Sequence, residues 1–383
     1  MLMIMRILYV YSNSLFGWNF LRDNTLLVNR LAKKNREKGH EVDVITIAGW
    51  YDSKCDENIN IESIRVIPER LKEKFKKEII LLNNIRFIAD FLQNRKNKNY
   101  DLIHCFDYES GIFSRILKQI LNIPLVLSYN RCFSDVPSSH LFNIDTRFES
   151  LVMGWLLQGV DKIIVNTSFM KNNLQDAFVV EDNRILKKPY LIDAMNNNVQ
   201  NDEKINILFV SELTEGQGVR EIFDLVAHLK SRLDVTLYFI TNFDVGIYGK
   251  LLSQFIRKCN LASNIEWRSY SGLNYLKELC SLKRFFILSP YKNLDTEILA
   301  CEFIGTYMPI IYQPTLLNKE IFCGVPFCFQ YDFWDGVDYE KLYSIVCNYD
   351  WISTYKKFAM FTTEVNEYED VYVELVNSSS KAI

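Results

Sequence analysis

The sequence predicts two α/β domains in one chain, each built around a parallel β-sheet covered by helices. Short apolar runs alternate with segments of helical spacing, which is typical of a doubly wound parallel sheet. The alternation starts again after one polar stretch without periodicity, residues 196–203, which is typical of a linker. The length of 383 residues also favours about two domains. We therefore place the first domain at residues 1–195 and the second at residues 204–360.

The first half contains six predicted strands, separated mostly by segments of helical spacing. The strands are residues 5–11, 39–46, 100–106, 125–129, 159–168 and 185–193. The first helical segment ends at Gly39, a residue type that readily adopts the left-handed conformation after a helix. Thr167 and Ser168 precede another helical segment and are placed to cap it.

The second half repeats this order around a glycine-rich loop, residues 211–218. Its predicted strands are residues 205–210, 235–240, 265–267, 285–288 and 310–312. The loop is followed by a predicted helix at 219–229, and a second helix, 296–305, follows the strand at 285–288. A helix that begins just after a buried parallel strand directs N–H groups and partial positive charge toward the strand's carboxyl end, which suits a phosphate or nucleotide.

The composition is that of an ordinary globular protein and argues against several other classes. Apolar residues make up 49% and charged residues 24%, so a sizeable core can form, and no apolar run reaches the roughly 18 residues of a membrane span. A net charge of −3 argues against a nucleic-acid partner. Nine cysteines without a CxxC pair and a first segment without a signal-peptide pattern favour the cytoplasm. Cys323 and Cys328 have no histidine beside them, so we expect no metal.

Residues 65–98 carry a local excess of positive charge, with ten Lys and Arg against four Asp and Glu. Apolar residues recur there at near-helical spacing and predict a basic amphipathic helix; they are Leu71, Phe75, Ile79, Leu82, Ile85 and Phe87. Such a helix either packs its apolar stripe on its own domain or lies on an anionic membrane. The second interpretation places the protein at the periphery of the inner membrane face, and both stay open here.

The segment 285–312 resembles the donor-nucleotide segment of the retaining family 4 glycosyltransferases, which have the GT-B fold. In that family a serine-rich loop leads to two Glu residues eight positions apart, then a run of small residues, a Pro and a strand. Counting back from Pro309 places the second Glu at Glu302. The resemblance implies two Rossmann-like domains that face each other across a cleft. It also implies a C-terminal helix, residues 361–383, that returns to the first domain.

The resemblance further implies a site for a nucleotide-sugar. Glu302 would hold the ribose hydroxyls, and Gly17 would allow the backbone to approach the substrate. Gly218 would close the glycine-rich loop. Gln217 stands where the family has a Lys that contacts the diphosphate, and Arg220, one turn further along the helix, would replace part of that charge. The alternative for Glu302 is an ordinary solvated residue on a helix surface.

Four charged or titratable positions of the family pattern carry other residues here. Glu212 replaces an Arg and Gln217 a Lys at the diphosphate, Leu294 replaces the first Glu, and Asn130 replaces a His near the reacting centre. An Asn side chain does not accept or release a proton at neutral pH. Two functions therefore fit the sequence. One is a glycosyltransferase that moves a sugar from a nucleotide-sugar to a glycan or lipid-linked acceptor. The other is a catalytically degenerate GT-B protein that is the partner or stabiliser of an active glycosyltransferase. The framework favours the first function and the site favours the second.

Overall fold

A computed structural model describes the greater part of the chain. The described residues are 4–12, 25–47, 61–64, 85, 87–94, 98–129, 144–188, 204–211, 218–241, 247–269, 273–291, 297–335, 337–349 and 367–380. The chain divides into two compact units, with the main boundary between Leu191 and Ile192. The first unit also includes the C-terminal segment from Val365, and the second includes Phe20–Arg22.

The first unit contains a parallel sheet of seven strands with the order β3-β2-β1-β4-β5-β6-β7. The strands are β1 (Arg6–Ser12), β2 (Glu41–Ile47), β3 (Ile61–Ile64), β4 (Leu102–Cys105), β5 (Leu125–Ser128), β6 (Lys162–Val165) and β7 (Ile185–Lys187). Every residue of β4 and β5 is buried, which explains why all of them except His104 and Ser128 are apolar. β3 was not predicted from the sequence, because two of its four residues are polar and it carries no apolar run.

Among the described residues of the first unit, five α-helices precede the domain boundary. They are α1 (Thr25–Glu37), α2 (residues 87–94), α3 (Tyr108–Leu121), α4 (Ile144–Gly159) and α5 (Ser168–Ala177). Both predicted caps are confirmed. Gly39 follows α1 with φ +91° and its N–H donates to the carbonyl of Arg36 at 2.9 Å. Thr167 Oγ1 accepts from the N–H of Met170 at 3.1 Å at the start of α5.

The described end of the basic segment packs into the core of the first unit. Phe87 and Phe91 of α2 are buried, and the ring of Phe87 lies 3.8 Å from that of Phe113 on α3, centroid to centroid. Ile85, which the predicted apolar stripe included, is 55% exposed. The stripe at this end therefore runs through Phe87 and Phe91, which favours packing on the domain. Residues 65–84 and 95–97 lie outside the described residues.

The second unit contains a parallel sheet of six strands with the order β10-β9-β8-β11-β12-β13. The strands are β8 (Ile205–Val210), β9 (Val235–Thr241), β10 (Ile265–Ser269), β11 (Phe286–Ser289), β12 (Ile310–Tyr312) and β13 (Cys328–Gln330). The helices are α6 (Val219–Leu229), α7 (Ile247–Lys258), α8 (Leu273–Leu282), α9 (Glu297–Gly305), α10 (Leu316–Phe322) and α11 (Tyr339–Cys347). The strand order reverses between β8 and β11, and open α/β sheets bind ligands outside the carboxyl ends of the strands at such a point.

The last helix, α12 (Glu367–Ser380), belongs to the first unit and is held there by buried polar contacts. The hydroxyl of Tyr372, a residue with no exposed surface, lies 2.6 Å from Nδ1 of His104 on β4. Glu369, one turn earlier, accepts a hydrogen bond from Lys38 at the end of α1. The C-terminal helix thus completes part of the core that β4 and α1 begin.

Among the described residues, no helix is both long enough and apolar enough to span a membrane. The same residues include no group of three or more His, Cys, Asp or Glu side chains arranged to bind a metal ion.

Candidate functional site

The carboxyl ends of β8 and β11 meet where the strand order of the second sheet reverses. Ser211 follows β8 and Ser289 ends β11, and neither side chain has exposed surface. The hydroxyl of Tyr291 donates to the carbonyl of Val210 and links the two strand ends. Burial raises the pKa of Tyr291, so this hydroxyl keeps the proton that it donates. Within the described residues, Ser289 Oγ is buried and has no hydrogen-bond partner. The edge therefore contains a buried hydroxyl that is free to bind a polar group.

Gly218 allows the first turn of α6 to pack closely against this edge of the sheet. It is the N-cap of α6 with φ +78°, a conformation that side chains other than glycine rarely adopt. A Cβ at this position would lie 2.8 Å from Cγ of Pro290, the residue after β11. The absence of a side chain thus lets the helix N-terminus approach the end of β11. The structure places the predicted residue Gly218 in the candidate site and supplies the reason for a glycine there.

A loop after β13 supports the same corner from the other side. The indole Nε1 of Trp334 donates to the carbonyl of Pro290 at 2.9 Å. Asp332 Oδ1 accepts from the backbone N–H groups of Trp334 and Asp335, both at 3.0 Å. Gln313, after β12, accepts from the N–H of Phe333 at 2.9 Å. The sequence did not predict these contacts, because no local pattern marks an indole that reaches a carbonyl 44 residues away.

Arg220 is the second residue of α6 and is exposed at its first turn. Its position leaves the guanidinium available to solvent and to an anion at the helix N-terminus. Two other predicted residues, Gln217 and Gly17, lie outside the described residues, as do Glu212, Leu294 and Asn130.

Glu302 is buried in α9, with 3% of its surface exposed, and it interacts with other groups of the protein. The alternative interpretation, a solvated residue on a helix surface, is therefore wrong. The reason is that α9, with the sequence EILACEFIG, is apolar around nearly its whole circumference, and such a helix is enclosed on most sides. A carboxylate in that position needs polar or charged partners to offset its loss of water.

The first unit places one of its two described histidines, His104, on a central strand deep in the core. His104 on β4 has no exposed surface; its Nε2 lies 2.8 Å from Ser128 Oγ, and Nδ1 contacts Tyr372. Burial lowers the pKa of His104 to about 3, so its imidazole is neutral at physiological pH. His104 is therefore a structural group that binds α12 to the sheet.

Both described histidines of the first unit contact α12, and His104 is the one that lies on a central strand. The other, His40, precedes β2 and lies 3.4 Å from Glu369 of α12, between Nε2 and Oε1. Proton transfer to or from a substrate requires access to the imidazole, which His104 lacks. Both histidines therefore contribute to the attachment of the C-terminal helix.

Comparison with known proteins gives one family match and many structural matches. Residues 26–186 match the sequence profile of Glycosyltransferase Family 4. A search of curated protein sequences found no significant match.

Three solved structures illustrate the structural likeness. HepE of Anabaena, solved with UDP and glucose, has 15% identity and a TM-score of 0.64, covering 99% of this chain and 98% of that chain. WaaG, a glycosyltransferase involved in lipopolysaccharide biosynthesis, has 14% identity and a TM-score of 0.66, covering 97% and 99%. Sucrose-phosphate synthase from Thermosynechococcus elongatus has 15% identity and a TM-score of 0.63, covering 99% and 93%. The chain therefore has the GT-B fold with two Rossmann-like domains, and residues 26–186 carry the sequence pattern of Glycosyltransferase Family 4.

Proposed function

We propose that the protein is a glycosyltransferase that binds a nucleotide-sugar at the carboxyl ends of β8 and β11. It transfers the sugar to a glycan or a lipid-linked acceptor. The observation that carries this proposal is the close packing of the N-terminus of α6 against the end of β11, where Gly218 lies against Pro290. That contact brings the N–H groups of an 11-residue helix to the edge where open α/β sheets bind ligands. The structures of HepE with UDP and with UDP-glucose support the class of donor.

In this proposal the diphosphate lies at the N-terminus of α6. The backbone N–H groups and the helix dipole attract its negative charge, and the exposed Arg220 adds a cation on the first turn. The buried hydroxyl of Ser289 offers a further hydrogen bond at the end of β11. Because charge builds up on the diphosphate as the sugar leaves, groups that are already oriented toward it favour bond cleavage.

The sequence changes at the diphosphate reduce the expected affinity for nucleotide. A charge-assisted hydrogen bond contributes about 1.5–3 kcal/mol, and two family cations are replaced by Glu212 and Gln217. Free nucleoside diphosphates should therefore bind on the order of a hundredfold or more weaker than they would with both cations present. The same changes favour the alternative function, a catalytically degenerate protein that is the partner of an active glycosyltransferase.

A matched pair of glycine variants tests the proposed donor site. Gly218→Ala and Gly324→Ala introduce the same methyl group at the same φ of +78°, so the backbone strain is comparable. A Cβ at Gly218 meets Pro290, whereas a Cβ at Gly324 meets nothing within 4 Å. We expect Gly218→Ala to weaken the binding of UDP and UDP-glucose at least tenfold, measured by calorimetry, and Gly324→Ala to leave it unchanged.

The same titrations, together with a sugar-transfer assay, separate the two functions. Glu302→Gln preserves the size of the buried side chain and shows whether its charge contributes to nucleotide binding. Transfer or hydrolysis of the donor by the native chain supports the enzyme. Nucleotide binding without either reaction supports the degenerate partner. Equal effects of the two glycine substitutions would show that the nucleotide lies elsewhere.

A further inference from the structure

A cavity of about 380 Å³ lies in the first unit between the C-terminal half of α3 and the end of α4. It also borders Asp161, before β6, and Arg184, before β7. The backbone N–H of Leu125, the first residue of β5, donates to Asp161 Oδ2 at 2.7 Å. Asp161 and Arg184 precede their strands and Leu125 begins its own, so the cavity lies at the amino edge of the sheet. Ligands of open α/β sheets bind at the opposite, carboxyl edge.

Three cations and one carboxylate line this α3–α4 cavity. Lys118 lies 2.6 Å from both carboxylate oxygens of Asp161, so these two charges offset each other. Arg184 donates through Nη2 to the carbonyls of Leu157 and Val160 at the end of α4. Arg115 is the third cation. After the Lys118–Asp161 pair is set aside, two positive charges remain to attract an anion.

The ring of Trp155 orients the guanidinium of Arg115, but two of its nitrogen donors have no hydrogen-bond acceptor among the described residues. Its guanidinium carbon lies 4.0 Å from the centroid of the Trp155 ring, a distance at which the ring face attracts the cation. Its Nε and Nη1 are buried and have no hydrogen-bond partner within the described residues. Burial also lowers the pKa of this guanidinium. Buried donors on a charged group are costly to leave without an acceptor, so an acceptor that enters the cavity is favoured.

The absence of a side chain at Gly159 makes this position of Arg115 possible. A Cβ at Gly159 would lie 2.6 Å from Cδ of Arg115 and would also contact Nε. Any larger residue at the end of α4 would therefore displace the guanidinium from the cavity.

We propose that the α3–α4 cavity is a second binding site, which takes a phosphate group at the guanidinium of Arg115. A phosphate oxygen accepts hydrogen bonds in the plane of the guanidinium, and this geometry leaves the stacking on Trp155 intact. The volume exceeds that of a bare phosphate ion and falls within the range of small-molecule sites, so the phosphate can carry a small organic group. This site is separate from the one proposed at the carboxyl ends of β8 and β11.

Calorimetric titration of the full chain with inorganic phosphate, and co-sedimentation with phosphatidylcholine vesicles with and without phosphatidic acid, test the proposal. The variants are Arg115→Gln and, as a control, Arg232→Gln. Arg232 is an arginine of the second unit that also lies over an aromatic ring, that of Tyr343 at 5.3 Å. Both variants remove the same charge, so their difference isolates the cavity from phosphate bound elsewhere.

We expect Arg115→Gln to raise the dissociation constant for a phosphate probe roughly tenfold or more and Arg232→Gln to leave it unchanged. Binding of inorganic phosphate that depends on Arg115 indicates a soluble phosphate compound. Binding that depends on Arg115 but needs phosphatidic acid indicates a lipid headgroup. Gly159→Ala, which keeps every charge, should weaken the same binding. This variant tests the phosphate site if Arg115→Gln does not fold. Absence of binding to either probe, or equal binding by native chain, Arg115→Gln and Gly159→Ala, overturns the proposal.

Discussion

Lowering the pH should destabilise the first unit through the buried imidazole of His104. This side chain has no exposed surface and lies 2.6 Å from the hydroxyl of Tyr372 and 2.8 Å from that of Ser128. Burial lowers its pKa from 6.5 to about 3. In the unfolded chain the imidazole takes up a proton as the pH falls below 6.5, whereas in the folded chain it does so only near pH 3. Because the unfolded state then binds more protons, stability is lost as the pH falls.

The size of this effect follows from the two pKa values. Because proton binding is linked to folding, the free energy of unfolding falls by about 1.4 kcal/mol at pH 5.5 and by about 2.7 kcal/mol at pH 4.5, relative to its value above neutral pH. These losses are a substantial fraction of the free energy of unfolding of a typical protein, which is roughly 5–15 kcal/mol. The contribution is fully present above pH 6.5.

Urea unfolding of the native chain and of His104→Gln, at several pH values between about 7.5 and 4.5, measures this contribution. A glutamine has a donor and an acceptor for the same two hydroxyls but does not titrate. The variant should therefore lose less stability on acidification, by about the amounts given above. Proton NMR of the imidazole signals gives an independent check. A His104 signal that titrates near pH 6.5, or a variant with the full pH dependence of the native chain, would refute the reasoning.

Two further substitutions test how the C-terminal helix is held. Tyr372→Phe should cost about 1–3 kcal/mol in urea unfolding, because Nδ1 of His104 loses its partner. Tyr331→Phe, which removes a buried hydroxyl without a partner within the described residues, should change stability by less than about 0.5 kcal/mol; equal losses would contradict this account. A hydrogen bond from Lys38 lowers the pKa of Glu369, so this carboxylate stabilises the fold above pH 4.5 and ceases to do so as the pH falls through its lowered value. Glu369→Gln should therefore reduce the loss of stability on acidification below pH 4.5, and an unchanged acid profile would show that the pair contributes nothing.

The sequence was sufficient to predict the two parallel sheets. Strands such as Leu125–Ser128 and Ile205–Val210 are buried on both faces, so most of their residues are apolar, and such strands can be found without any tertiary information. The strands that escaped prediction, Ile61–Ile64 and Cys328–Gln330, are only four and three residues long. Strands so short carry too few residues for a pattern to be distinguished from a loop.

The candidate site was predictable only in part. The glycine-rich loop pointed to Gly218, because a helix that starts directly after a buried strand requires a tight turn. The offset from Pro309 located Glu302 but left its environment open, and the structure shows it buried in an apolar helix. Trp334, which reaches the carbonyl of Pro290, carried no local signal.

By itself, the sequence determined most of the longer strands and where capping residues such as Gly39 and Thr167 end or begin helices. These features depend on a few neighbouring residues, whose periodicity and conformational preferences are local. Tertiary structure alone decided the partnership of His104 with Tyr372, 268 residues later, and the stacking of Arg115 on Trp155 with two donors left over. Such contacts join segments that meet only after the chain has folded. Whether a buried polar group is satisfied therefore depends on packing that no local pattern records.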